Sequence, residues 1–176
     1  MKIPKRLLIL QRLTEHLECL VPANGYEHNL SGRVSRGRVV IGDEHVRTST
    51  DPIISILESP RPDLASYTGE WGEMRKDNWT LLLQGLVRDD PLNPTDPAYR
   101  LVAEVELHLS RLVAARTETG KPLYPNEHLL GGVITSLEIA APVVRPPEKG
   151  VSNTAFFYLP LRVGIAGNIG QPYADL

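Results

Sequence analysis

The run Asn78 to Arg88 sets the tightest limit on the fold. Trp79, Leu81, Leu83, Gly85 and Val87 alternate with Thr80, Leu82, Gln84, Leu86 and Arg88. A period of two predicts a strand. Both of its sides are apolar at the centre, which is the pattern of a strand covered on both faces. A chain with such a strand must supply enough further sheet and helix to bury it.

The flanking segments supply them. Ile3, Leu7, Leu10, Leu13, Leu17 and Leu20 recur at spacings of three and four, with charged residues mostly between, and predict a helix over 4–20. Pro4 suits the first turn, where its missing N–H costs nothing. Val21-Pro22-Ala23-Asn24-Gly25 stops it. Residues 33–41 and 52–58 read as strands, the first with a glycine irregularity at Gly37. After the turn Asp89-Asp90-Pro91-Leu92-Asn93-Pro94, a second helix is predicted from Thr95 or Asp96 to about Arg116, its buried face running through Tyr99, Val102, Val105 or Glu106, Leu109 and Leu112–Val113 and widened by Leu101 and Leu107. Either side chain there can accept hydrogen bonds from the first turn, and Pro97 fits the first helical position. Residues 132–144 and 154–165 read as two final strands joined in an antiparallel hairpin. Pro160, which cannot donate to a ladder, pushes the last strand toward an edge or a bulge. Residues from 166 onward read as a loose tail.

The order α-β-β-β-α-β-β predicts one α+β domain spanning 1–176, a mostly antiparallel sheet of about five strands with two helices on one face. A chain of 176 residues is long enough for such a core. Glycine and proline make up 29 of its residues, and they concentrate in loops, the longest being 59–77 and 116–131. Loops of that length in a compact domain are functional or flexible.

Composition excludes several classes. One cysteine leaves no disulfide framework and no cysteine-rich zinc site. A net charge of -2 argues against a general nucleic-acid binder. Lys2, Lys5 and Arg6 precede a four-residue apolar run, too short for a signal peptide, and no segment is long and apolar enough to cross a bilayer. No phosphate-binding loop, nucleophile elbow or HExxH spacing occurs, so neither a catalytic residue, a metal ligand nor a cofactor is assigned. His16 and His108, on the helices, read as surface or internally satisfied residues, and Cys19 as a small side chain of the first helix. Asp89, Asp90 and Asp96 cluster around one turn. They fit turn-forming and helix-starting roles, and alternatively a small metal-dependent hydrolase site.

Charge is uneven along the chain. Residues 1–50 hold eight Lys/Arg against five Asp/Glu, and residues 58–106 hold five against ten. A subunit of this kind can dock head-to-tail with its own copy, or its charges can be ordinary solvated surface. Arg33, Arg36 and Arg38 (with Arg47 beyond), and Asp89 and Asp90, are the candidates for contact between copies. Trp71, Arg75 and Tyr124, in the two long loops, are the candidates for binding other proteins.

The element order and the runs Arg36-Gly37-Arg38-Val39-Val40, Pro52-Ile53-Ile54-Ser55-Ile56-Leu57-Glu58, Trp79-Thr80-Leu81-Leu82-Leu83-Gln84-Gly85 and Pro94-Thr95-Asp96-Pro97-Ala98-Tyr99-Arg100-Leu101 resemble the tail terminator (tail completion) proteins of long-tailed bacteriophages. The resemblance implies a structural virion protein with no catalytic residues. It would form a homo-hexameric ring on the last ring of the tail tube, at the head-proximal end of the tail, after assembly in the host cytoplasm. Its partners would be itself, the major tail tube protein, the head–tail connector or neck protein, and duplex DNA passing through the lumen without sequence reading. A neck or head-closure adaptor ring is the adjacent alternative.

Overall fold

The computed structural model describes residues 2–38, 52–60, 72–148 and 152–174. Helix α1 spans Lys5–Glu18 and buries Leu8, Ile9, Leu13 and Leu17. Strands β1 (Val34–Arg36), β2 (Ile53–Glu58) and β3 (Met74–Arg88) follow. Helix α2 spans Asp96–Val113. Strands β4 (Ser136–Ile139), β5 (Val143–Arg145) and β6 (Thr154–Asn168) complete a six-stranded sheet. The fold is α+β, with both long helices on one face of a mostly antiparallel sheet.

The strand order is β1-β2-β3-β6-β4, with β5 also on β6. Among the described residues only the β1–β2 pair is parallel. The spine of the sheet is β3 against β6, fifteen residues paired without a break from Met74↔Asn168 to Arg88↔Thr154. Toward the Arg88 end of this ladder Gly85 faces Phe157. A Cβ on Gly85 would lie 2.0 Å from the Phe157 ring, so only glycine lets the aromatic ring lie across the sheet there.

β4 and β5 are one edge strand interrupted by a bulge. Ile139 pairs with Leu161 and Val143 with Tyr158, so the three residues 140–142 lie opposite the two residues 159–160. Pro160 lies opposite this interruption. Its carbonyl accepts from Ala140 N at 3.0 Å on the β4 side. In a strand the N of a residue points the same way as its O, so the donor that proline lacks would have pointed at the bulge. Of the two expectations for Pro160, the bulge holds and the edge does not: β6 lies between β3 and the β4–β5 edge.

Other expectations need correction. β3 begins at Met74, so the loop expected over 59–77 is shorter at its end. The last strands begin at Ser136 rather than Gly132 and run to Asn168 rather than Ile165. The tail expected to be loose from 166 is tied down: Lys5 N donates to Pro172 O and Ala174 N to Ile3 O, both at 2.9 Å, and Pro4 bridges Tyr173. Thr95 is the N-cap of α2, yet no side chain caps that helix. Pro97 does sit in its first turn.

The core lies between the helices and one sheet face. Ile9, Leu13 and Leu17 of α1 and Leu101, Val105, Leu109 and Leu112 of α2 pack on Ile54, Ile56, Trp79, Leu81, Leu83, Phe157, Leu159, Leu161 and Val163. Most of these side chains are fully closed to solvent.

Candidate functional site

The opposite face of the sheet is built by the other parity of the same strands: Ile53 and Leu57, Leu82, Gln84 and Leu86, Phe156, Tyr158 and Pro160, with Val143 at the edge. Its own small apolar cluster joins Ile53, Leu86 and Phe156, and no helix contributes to it among the described residues. Ile53 and Leu86 are closed, but Leu57, Leu82, Gln84, Phe156, Tyr158 and Pro160 are half-buried, and Val143 is 47% exposed. Among the described residues, the expectation that β3 is covered on both faces is met on the helix side only. An antiparallel sheet needs one buried face to fold; the second is free to be a contact surface.

The helical layer has an apolar stripe of its own. Tyr99, Ala103 and Leu107 follow at spacings of four along the outward side of α2. Tyr99 is 58% and Leu107 63% exposed.

A third feature lies between the helices. His16 of α1 and His108 of α2 stack with ring centroids 4.1 Å apart. Nε2 of each ring reaches the backbone carbonyl of the other residue, at 3.1 Å from His16 and 2.7 Å from His108. Carbonyls only accept, so both Nε2 atoms carry the proton. The Tyr26 hydroxyl then donates to His108 Nδ1 at 2.7 Å. Burial, then the charge of His108 and that of Arg111, hold His16 far below its ordinary value, down to about 3. Burial also lowers His108. Both rings are neutral clasps between α1 and α2, the internally satisfied role the sequence suggests. His16 Nδ1 faces Glu127 Oε2 at 3.7 Å, and Glu127 pairs with Arg111.

This clasp floors a cavity of about 600 Å³, lined by Arg12, Glu15, Cys19, Leu112, Asn126 and Leu130 among others. Its rim is strained. Leu129, Leu130, Gly131 and Gly132 all have positive φ, at 51°, 56°, 71° and 79°. Two leucines in left-handed backbone cost of order 1–3 kcal/mol each. The segment 116–131 is held down despite its length: Arg116 bridges Pro122, Leu123 N donates to Ala115 O, and the Arg111 guanidinium lies 4.1 Å over the Tyr124 ring.

The residues singled out from sequence fall as follows. Arg33, Arg36 and Arg38 lie along and beside the edge strand β1; Arg33 Nε donates to Pro52 O, and Arg38 O accepts from Ser55. Trp71 and Arg47 lie outside the described residues. Arg75 is in β3 rather than a loop. Its Nε faces the buried Asp77 Oδ1 at 2.6 Å, an ion contact outside hydrogen-bonding angle, while Arg6 of α1 bonds the other oxygen at 2.9 Å. Tyr124 has one ring face taken by Arg111. Asp89 and Asp90 close β3. Asp90 Oδ1 accepts from Asn93 N at 2.7 Å and Leu92 N at 2.8 Å, and those bonds hold its carboxyl below the usual aspartate pKa. It is a turn carboxylate. Asp96 opens α2. Among the described residues, no group of three His, Cys, Asp or Glu side chains is placed to hold a metal ion.

Sequence reasoning missed the histidine clasp and the outward stripe of α2. His108 shares a helical face with Val105, Leu109 and Leu112, which marks it as inward. Tyr99 and Leu107, expected on the buried side of that helix, point outward instead, because they stand off the face that Leu101, Val105, Leu109 and Leu112 turn to the sheet. Compared with known proteins, the chain matches no family model and no curated relative.

Proposed function

We propose that this chain is a structural ring subunit of a long-tailed bacteriophage, the tail terminator. Copies of it form a hexameric ring on the last ring of the tail tube. The ring stops tube polymerisation and offers a docking surface to the head connector, while duplex DNA passes through the lumen without sequence reading. The observation that carries the reading is the outer sheet face, half-buried and apolar at its centre while the main core lies on the helix side. A face of that kind on a small two-layer domain fits a subunit with neighbours. The sequence resemblance names the kind of neighbour.

Electron microscopy of particles made without this protein tests the reading. Overlong or headless tails are expected. Normal infectious particles would overturn it, and so would a protein that stays monomeric both alone and on purified tail tubes. Joined tails and heads that leak at the neck would favour a head-closure adaptor instead.

A further inference from the structure

We infer that the outer sheet face of one subunit receives the outward side of α2 from the next copy, so that the ring closes by a head-to-tail contact. This rests on the ring reading and identifies the occupant of the surface that carries it.

Both halves of the contact are present on one chain and on opposite layers. The sheet half is centred on Leu82, Phe156 and Tyr158, with Val143 at its edge. The helix half is Tyr99, Ala103 and Leu107. The two cannot meet within a subunit, because the core and the sheet itself lie between them. Two different surfaces on opposite sides give a heterologous contact, which makes a ring when the rotation closes. A two-fold dimer would need one surface to match itself.

Charge points the same way. The register places Lys76, Arg88, Arg145 and Arg162 on the outer sheet face, against Glu138 alone. Arg162 is paired with Glu138 at 2.8 Å, which leaves the other three cations unmatched by an acid on that face among the described residues. The outward side of α2 carries Asp96 and Glu106 against Arg100. A basic sheet face next to its own copy is repelled; next to the acidic side of α2 it is attracted. Pairing side by side through the β1 edge would leave both apolar surfaces in water.

Cross-linking tests the contact. Cys19→Ser removes the one native thiol. In that background Val143→Cys and Leu107→Cys are made singly and together; both sites are well exposed, so the fold is expected to stand. A bifunctional maleimide is applied to protein assembled on tail tubes. The double variant is expected to give a ladder up to hexamer. An equal mixture of the two single variants is expected to give dimers and nothing larger, and either single variant alone to give no dimer. Rings visible by electron microscopy with no cross-link in the double variant would overturn this inference and leave the ring reading standing. Dimers from Val143→Cys alone would overturn it too, since they would mean sheet against sheet. Absence of rings altogether would overturn the ring reading itself.

Discussion

The two faces of the sheet use the same strands and the same alternation, and they come out differently. On the helix side, Leu81, Leu83, Phe157, Leu159 and Leu161 are sealed under α1 and α2. On the outer side, Leu82, Phe156, Tyr158 and Pro160 keep partial contact with water. Apolar content alone does not say which face is the core. What decides is which face the amphipathic helices can reach. The helix side therefore carries folding, and in the proposed ring the outer side serves association.

The sharpest way to break that contrast is to place a carboxylate on each side. Leu13, almost fully closed, is the helix-side site. Leu13→Asp buries an unpaired charge and should cost more than about 4 kcal/mol, enough to abolish the cooperative thermal transition seen by circular dichroism. The matching outer-face change, Leu82→Asp, should cost about 1–2 kcal/mol and leave a folded protein. Equal loss of structure in the two variants would erase the distinction between the faces.

The helix side also has a pH dependence of its own. His16 has a folded value of about 3 against an ordinary 6.5. The unfolded chain therefore binds the proton more readily than the native one. Stability is fully present above about pH 6.5 and declines as pH falls below it, by about 3 kcal/mol at about pH 4. His108, lowered by its burial, acts in the same direction. Urea midpoints should fall from about pH 7 to about pH 4, and His16→Asn with His108→Asn should flatten the slope while lowering the starting stability. An unchanged slope in that double variant would mean the clasp is not the sensor.

Packing density gives a smaller effect. Gly85→Ala drives a methyl group into the Phe157 ring and should cost about 2 kcal/mol. Gly167→Ala, with open space around its Cβ in the adjoining strand, should cost under about 0.5 kcal/mol. Similar melting temperatures for the two would show that the ring has room to move.

These sites also mark how far the sequence can be read. α1, the centre of β3 and the apolar face of α2 are legible because period and burial agree within one segment. The first residues of β3 are not, because Met74, Arg75, Lys76 and Asp77 look like loop; they become strand only by pairing with Ile165 to Asn168, about ninety residues away. The clasp fails for the same reason: each histidine is an ordinary helix residue until the other, 92 positions distant, is brought against it. Gly131 and Gly132 announce a turn. Nothing announces that two leucines join them in left-handed backbone, since leucine carries no local preference for it. The outer face is half legible. Its apolar residues are plain in the alternation, but their exposure depends on where the helices go.

The finest separation between the faces is one of charge at an exposed site. Leu107 stands on the outward side of α2 and touches little within the subunit, so Leu107→Lys and Leu107→Glu should each change stability by less than about 0.5 kcal/mol. Both remove an apolar side chain from the contact between copies. They differ in what they bring to the basic outer sheet face of the neighbour: a like charge from lysine, an opposite one from glutamate. Ring yield on tail tubes, scored by electron microscopy, should therefore fall further for Leu107→Lys than for Leu107→Glu. Raising the salt should narrow the gap, since exposed charges are screened over about 8–10 Å at moderate ionic strength. Equal yields at low salt would leave the apolar stripe as the whole of the contact and remove charge from its account.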